Sequence, residues 1–134
     1  MLKSTMKILA IDHGTKRIGL AISDELGIVA APLEIISTKK DRQIQKVSEV
    51  YKEQGAEKIL LGIPLNPDGT VGKQGEIVKE FGEELKSGLK AEIVYWDEYL
   101  SSKQAERKKK SKRTKENLDS EAARIILQEY LDTL

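Results

Sequence analysis

At 134 residues the sequence can build one ordinary domain with a real core and is too short for two, so a single domain over 1–134 is expected. It contains no cysteine, which excludes disulfide frameworks and thiolate metal centres, and no apolar run near the ~18 residues of a membrane span, so a soluble cytoplasmic protein is expected. The net charge of +1 hides an uneven distribution: residues 107–115 (RKKKSKRTK) carry seven basic side chains and no acid, while the rest holds 16 basic and 22 acidic residues, a net charge of −6.

The first informative stretch runs from Lys7 to Asp24, KILAIDHGTKRIGLAISD. Ile8 to Ile11 form an apolar run of the kind found in a central strand buried on both faces. Asp12 interrupts it, a polar turn from His13 to Arg17 follows, and Ile18 to Ile22 resume the apolar pattern, which predicts a β-hairpin with Asp12 near its tip. An acid at the end of an interior strand is costly unless a cation or hydrogen bonds satisfy it. Asp12 therefore reads either as a turn former or as a ligand, and two chemistries use such a strand-end Asp-Gly hairpin. One is metal binding in ribonuclease H-like nucleases; the other is phosphate binding in ATPases of the actin and sugar-kinase type.

Ile28 to Ile36 is a third β-rich run whose Pro32 suggests an edge strand or a bulge, giving an antiparallel meander. Ile44, Val47, Val50 and Tyr51 then recur at helical spacing, with Gly55 placed to end the helix. Lys58 to Gly62 reads as a buried strand reached by a parallel crossover. Pro64 to Gly75 reads as a loop; its glycines do not match the P-loop spacing. Ile77, Val78, Phe81 and Leu85 mark a second helix that Gly88 is expected to end. Ala91 to Trp96 forms a fifth strand, followed at once by Asp97 and Glu98. Ser101 and Gln104 fit a capping box for a helix beginning near Ser102. The last helix, from about Asn117 to Leu131, carries Leu118, Ala122, Ala123, Ile125, Ile126, Leu127 and Leu131 as a broad apolar face, and Asp119 shares the side of Ala123 and Ile126.

Acids thus stand at the ends of three elements: Asp12, the pair Asp97 and Glu98, and Asp119. With the fourth strand beside the first and the fifth beside the fourth, both strand ends open on one edge, and a helix packed across them can bring Asp119 to the same place. Clustered carboxylates repel unless cations neutralise them, and all-oxygen ligation selects hard ions such as Mg²⁺ or Mn²⁺.

Four blocks, AIDHGTKRIGLA from Ala10 to Ala21, GIPLNPDGT from Gly62 to Thr70, DEYLSSKQA from Asp97 to Ala105 and LDSEAARIILQEYL from Leu118 to Leu131, resemble the YqgF (RuvX) family. Its members are described as pre-16S rRNA nucleases and as Holliday-junction-resolvase-like proteins. The resemblance implies an α/β, ribonuclease H-like fold: a mixed five-stranded sheet with three antiparallel strands, two further parallel strands, and helices on both faces. It implies a catalytic set of Asp12, Asp97, Glu98 and Asp119. Asp12 and Asp119 would be metal ligands, with Asp97 or Glu98 supplying the third carboxylate and Glu98 taken as the ligand. It further implies phosphodiester hydrolysis assisted by two Mg²⁺ or Mn²⁺ ions. The family commonly has Arg after the Asp-Glu pair; here Tyr99 stands there, so no phosphate contact carries over.

His13, the only histidine, points away from Asp12 by strand alternation and is read as a structural turn residue, not a general base. Lys16 and Arg17 in the hairpin, and Arg107, Lys108, Lys109, Lys110, Lys112, Arg113 and Lys115 in the basic segment, are the candidate contacts to nucleic acid phosphates. The segment lacks interleaved aromatics, so base stacking is not suggested. The expected partner is structured RNA of the pre-16S type, or alternatively branched DNA, bound by a monomer or weak dimer. The ATPase reading needs a second Asp-Gly hairpin that the chain lacks. A non-catalytic RNA-binding module is the remaining alternative.

Overall fold

Side-chain alternation along the first strand sets the architecture, because both of its faces are apolar. The computed structural model describes residues 6–14, 16–37, 39–97 and 115–134, with the main chain alone over 115–120. Its elements are β1 (Ile8–His13), β2 (Ile18–Ser23), β3 (Ala30–Ile36), α1 (Lys40–Glu53), β4 (Lys58–Ile63), α2 (Lys73–Leu89), β5 (Glu92–Asp97) and α3 (Lys115–Asp132). The strands form one sheet in the order β3-β2-β1-β4-β5. β1, β2 and β3 pair antiparallel, while β4 and β5 run parallel to β1. The mixed α/β sheet of the ribonuclease H-like type is therefore present in the expected order.

One face of the sheet presents Leu9, Ile11, Leu20, Ile59 and Leu61 to Val47 and Val50 of α1 and to Val78, Phe81 and Leu85 of α2. The other presents Ile8, Ala10, Ala21, Ala30 and Leu60 to Ala123, Ile126, Leu127 and Leu131 of α3. Ala10 pairs with Ala21 across β1 and β2. This alanine stripe leaves no bulk beneath α3, so the helix with its own Ala123 packs close to the strands.

Three further contacts fix α3 on the sheet. Lys58 Nζ donates to the Tyr130 hydroxyl at 2.7 Å, Trp96 Nε1 donates to Glu129 Oε1 at 3.2 Å, and the Trp96 and Tyr130 rings meet edge to face at 5.6 Å.

Element boundaries depart from the periodicity in places that have local causes. β3 begins at Ala30 instead of Ile28, because the Asp24 carboxylate accepts from the main-chain N–H of Ile28 and of Val29 and keeps both in the turn. Pro32 lies where the β2–β3 register shifts, on an edge strand as expected. Gly55 takes φ +69° as the residue after the C-cap of α1, with Ala56 N–H bonded to Tyr51 C=O in a Schellman arrangement. α2 starts at Lys73, two residues before the expected loop ends, and runs past Gly88 to a left-handed Lys90 at φ 55°. Inside α2, a Cβ on Gly82 would stand 2.3 Å from the Tyr95 hydroxyl and 2.9 Å from Leu61 Cδ2, so glycine here lets the helix lie against β4 and β5. No helix among the described residues is long and apolar enough to cross a membrane.

Candidate active site

Because β1, β4 and β5 are parallel, their C-terminal ends share one edge of the sheet, and this edge carries the acids. Asp12 is the penultimate residue of β1 and half-buried. By alternation with Ile8 and Ala10 it belongs to the face that α3 covers. Its cross-strand partner on β2 is Gly19 and on β4 is Gly62. Paired residues share a face, so neither neighbouring strand puts a side chain beside this carboxylate. Gly62 is paired in turn with Trp96 on β5. The row across the sheet at this height is thus Gly19, Asp12, Gly62, Trp96.

The hairpin after β1 is tight. Gly14 N–H donates to Arg17 C=O at 2.8 Å, and a Cβ on Gly14 would meet that oxygen at 2.6 Å. Lys16 is exposed on this turn and Arg17 half-buried, both at the acidic edge.

His13 ends β1, not the turn, and lies on the other face. Its ring is buried against Phe81, with centroids 4.5 Å apart, and Nδ1 has no hydrogen-bond partner among the described residues. Burial pushes its pKa below the ordinary value, helped by the charge of Lys40. A neutral ring packed toward α2 is part of the core on the side away from Asp12.

Asp97 ends β5 opposite Ile63 and is exposed. It stands one residue beyond the Trp96 row, about 10 Å from Asp12 across two strand spacings. It shares the alternation of Ile93 and Tyr95, which pack on the α1 and α2 side. It also borders a recess at the sheet edge with Tyr95, Trp96 and Glu129. Of the acids on described strands, Asp12 and Asp97 therefore belong to one edge but to opposite faces.

The start of α3 stands at the same edge. Gln128 of α3 is level with the end of β2, since its Oε1 accepts from Ala30 N–H, Ala30 pairs with Ser23, and the Ser23 hydroxyl accepts from Ile8 N–H. From Ile8 to Asp12 the strand rises about 13 Å. From Gln128 back to Asp119 the helix rises about 13.5 Å in the same direction. The main-chain position of Asp119 is thus at about the height of Asp12.

Among the described residues no group of three His, Cys, Asp or Glu side chains is placed to hold a metal. Glu98, the expected capping box at Ser101 and Gln104, and Arg107, Lys108, Lys109, Lys110, Lys112 and Arg113 lie outside the described residues; Lys115 begins α3. The feature that sequence reading missed is the glycine on either side of Asp12. A signal was present, since glycine inside a strand pattern marks a close approach by backbone or ligand, and both Gly19 and Gly62 interrupt apolar runs.

A mixed sheet in this order, with an acid near the end of β1 and a helix crossing toward it, defines the ribonuclease H-like class. Two solved structures share the fold over 96% of this chain. T. thermophilus RuvC in complex with Holliday junction substrate superposes with a TM-score of 0.60 at 18% identity, over 94% of that chain. A second Thermus thermophilus RuvC structure gives 0.61 at 12% identity, over 95% of that chain.

The family model described as RuvX, Holliday junction resolvase, matches residues 6–133, and the chain belongs to that family. It is 43% identical over 136 residues to the "Putative pre-16S rRNA nuclease" of Bacillus cytotoxicus, covering 96% of this chain and 99% of that protein. The protein of the same name from Bacillus mycoides is 41% identical over equal shares.

Proposed function

We propose that the protein is a divalent-metal-dependent nuclease that hydrolyses phosphodiester bonds at the 5′ end of pre-16S rRNA. The observation that carries the reading is the row of Asp12 between Gly19 and Gly62, level with the start of α3, in a chain 41–43% identical to proteins named for that activity.

The donors present fit a hard cation. They are carboxylates only, and the residues paired with Asp12 on both neighbouring strands are glycines. Asp12 and Asp119 are the first two ligands we assign. Glu98 is the third we assign, with Asp97 the remaining acid of the set. Bound there, Mg²⁺ or Mn²⁺ supplies neutralisation of the phosphate charge and activation of water for in-line displacement. Lys16 and Arg17, flanking the same edge, hold the phosphate backbone of the substrate, and the basic segment 107–115 extends that grip.

The test is cleavage of a precursor 16S 5′ leader with Mg²⁺ or Mn²⁺, with Asp12→Asn as the control. Loss of about a thousandfold or more in rate for Asp12→Asn, at unchanged RNA affinity, is expected. Equal cleavage by both proteins removes Asp12 from the mechanism, and RNA binding without cleavage by either leaves a binding module.

A second reading, resolution of four-way DNA junctions, is favoured by the description of the matching family model. A synthetic junction assayed beside the RNA separates the two, since a resolvase makes paired symmetric cuts as a dimer.

A further inference from the structure

Five large apolar side chains are exposed among the described residues: Met6, Leu26, Ile28, Val29 and Leu134. All stand at one end of the molecule, where β1 begins, β2 turns into β3 and α3 finishes. It is the end opposite Asp12, about 20 Å away along the strands.

Three of the five lie on the β2–β3 turn, and that turn is built, not slack. Asp24 N–H donates to Val29 C=O at 3.0 Å, Gly27 takes φ +70°, and the Asp24 carboxylate accepts from Ile28 N–H at 2.7 Å and Val29 N–H at 3.2 Å. Those bonds hold the Asp24 carboxyl below the usual range. Gln128 then fastens the turn to α3: its Nε2 donates to Ile28 C=O at 2.8 Å and to Asp132 Oδ1 at 3.1 Å. Leu26, Ile28 and Val29 are thus held outward on a firm tip. A turn that only joins two strands is better served by polar residues. Exposed apolar clusters of this kind mark interaction sites.

Exposure and charge select the occupant. Leu26, Ile28 and Val29 are each more than half exposed, so a partner that buries them must be apolar where it meets them. Residues 18–38 hold Asp24, Glu25 and Glu34 and not one Lys or Arg, in a chain with 23 of them, and Asp132 stands beside the turn. RNA phosphates would be repelled. A second copy meeting this one about a two-fold axis would set the same acids against each other. We propose that the Leu26 to Val29 tip docks onto an apolar surface rimmed by Lys or Arg on a basic protein partner. That partner accompanies the RNA, so the far end tethers the chain while the acidic edge works; this choice of partner rests on the RNA-processing reading.

The probes are purified small-subunit precursor particles, which carry basic proteins on the precursor RNA, and the same RNA stripped of protein. Wild type, Leu26→Ser/Ile28→Ser and Glu25→Lys are compared as full chains with matched melting temperatures. Wild type is expected to bind particles at least about tenfold tighter than bare RNA, and both variants to lose that margin while binding and cleaving bare RNA within about twofold of wild type. Three results overturn the proposal: no margin in wild type, an unchanged margin in both variants, or a dimer in sedimentation that Leu26→Ser/Ile28→Ser abolishes. Failure of wild type to cleave bare RNA overturns the nuclease reading instead, and the binding comparison is judged separately.

Discussion

Asp12 stands directly across the parallel pair β1 and β4 from Gly62, at the height where β5 places Trp96. A methyl group at position 62 would enter the row between the carboxylate and the indole. Gly62→Ala is therefore expected to lower kcat/KM for RNA cleavage by about tenfold to a hundredfold, since displacement by an ångström is enough to spoil alignment. The melting temperature should move by only a few degrees. Cleavage at the wild-type rate would show that substrate does not cross this row.

The pH dependence of stability should carry the mark of His13. Its folded-state pKa is lowered from the ordinary 6.5 by burial against Phe81. Below 6.5 the unfolded chain takes up the proton more readily than the folded one. The contribution of the neutral ring is therefore complete above 6.5 and is lost as pH falls through the lower folded value. Melting temperatures of wild type should drop as pH falls below 6.5, and His13→Leu should flatten that portion of the curve.

Gly82→Ala tests how closely α2 lies on the sheet. The new methyl meets the Tyr95 hydroxyl and a Leu61 methyl, so a loss of about 1–3 kcal/mol is expected in denaturant melts. Tyr95→Phe in the same chain removes the nearest atom and should restore part of the loss. Additive effects would mean that the two positions do not share the contact.

For the basic segment, Lys108→Ala/Lys109→Ala/Lys110→Ala should weaken RNA binding and make its salt dependence shallower, by a slope of about 2 for single-stranded RNA if all three touch phosphate. An unchanged slope would make these lysines a solvated face.

Much of the fold was legible because β1 and β4 are apolar on both faces and can only be interior strands. The helix ends were partly legible. Gly55 sits where a left-handed residue is required, but Lys90 takes the same conformation with no glycine to announce it, which is why Gly88 was mistaken for the stop. Of the candidate site, the strand-end positions of Asp12 and Asp97 were legible. What the residues could not supply was register: that Asp12 lies between Gly19 and Gly62 depends on pairing across three strands, and that Asp97 belongs to the opposite face depends on where β5 starts its alternation. The start of β3 was missed because Asp24 claims two amide groups that a longer strand would have used.

Among the described residues α3 alone covers the face that bears Asp12, and it follows all five described strands. During synthesis that face lacks α3 while all five strands already exist. On the assignment proposed above, Asp119 joins the acids of the strands only once α3 has been made. The order in which the residues are made thus places the covering of this face after the completion of the sheet.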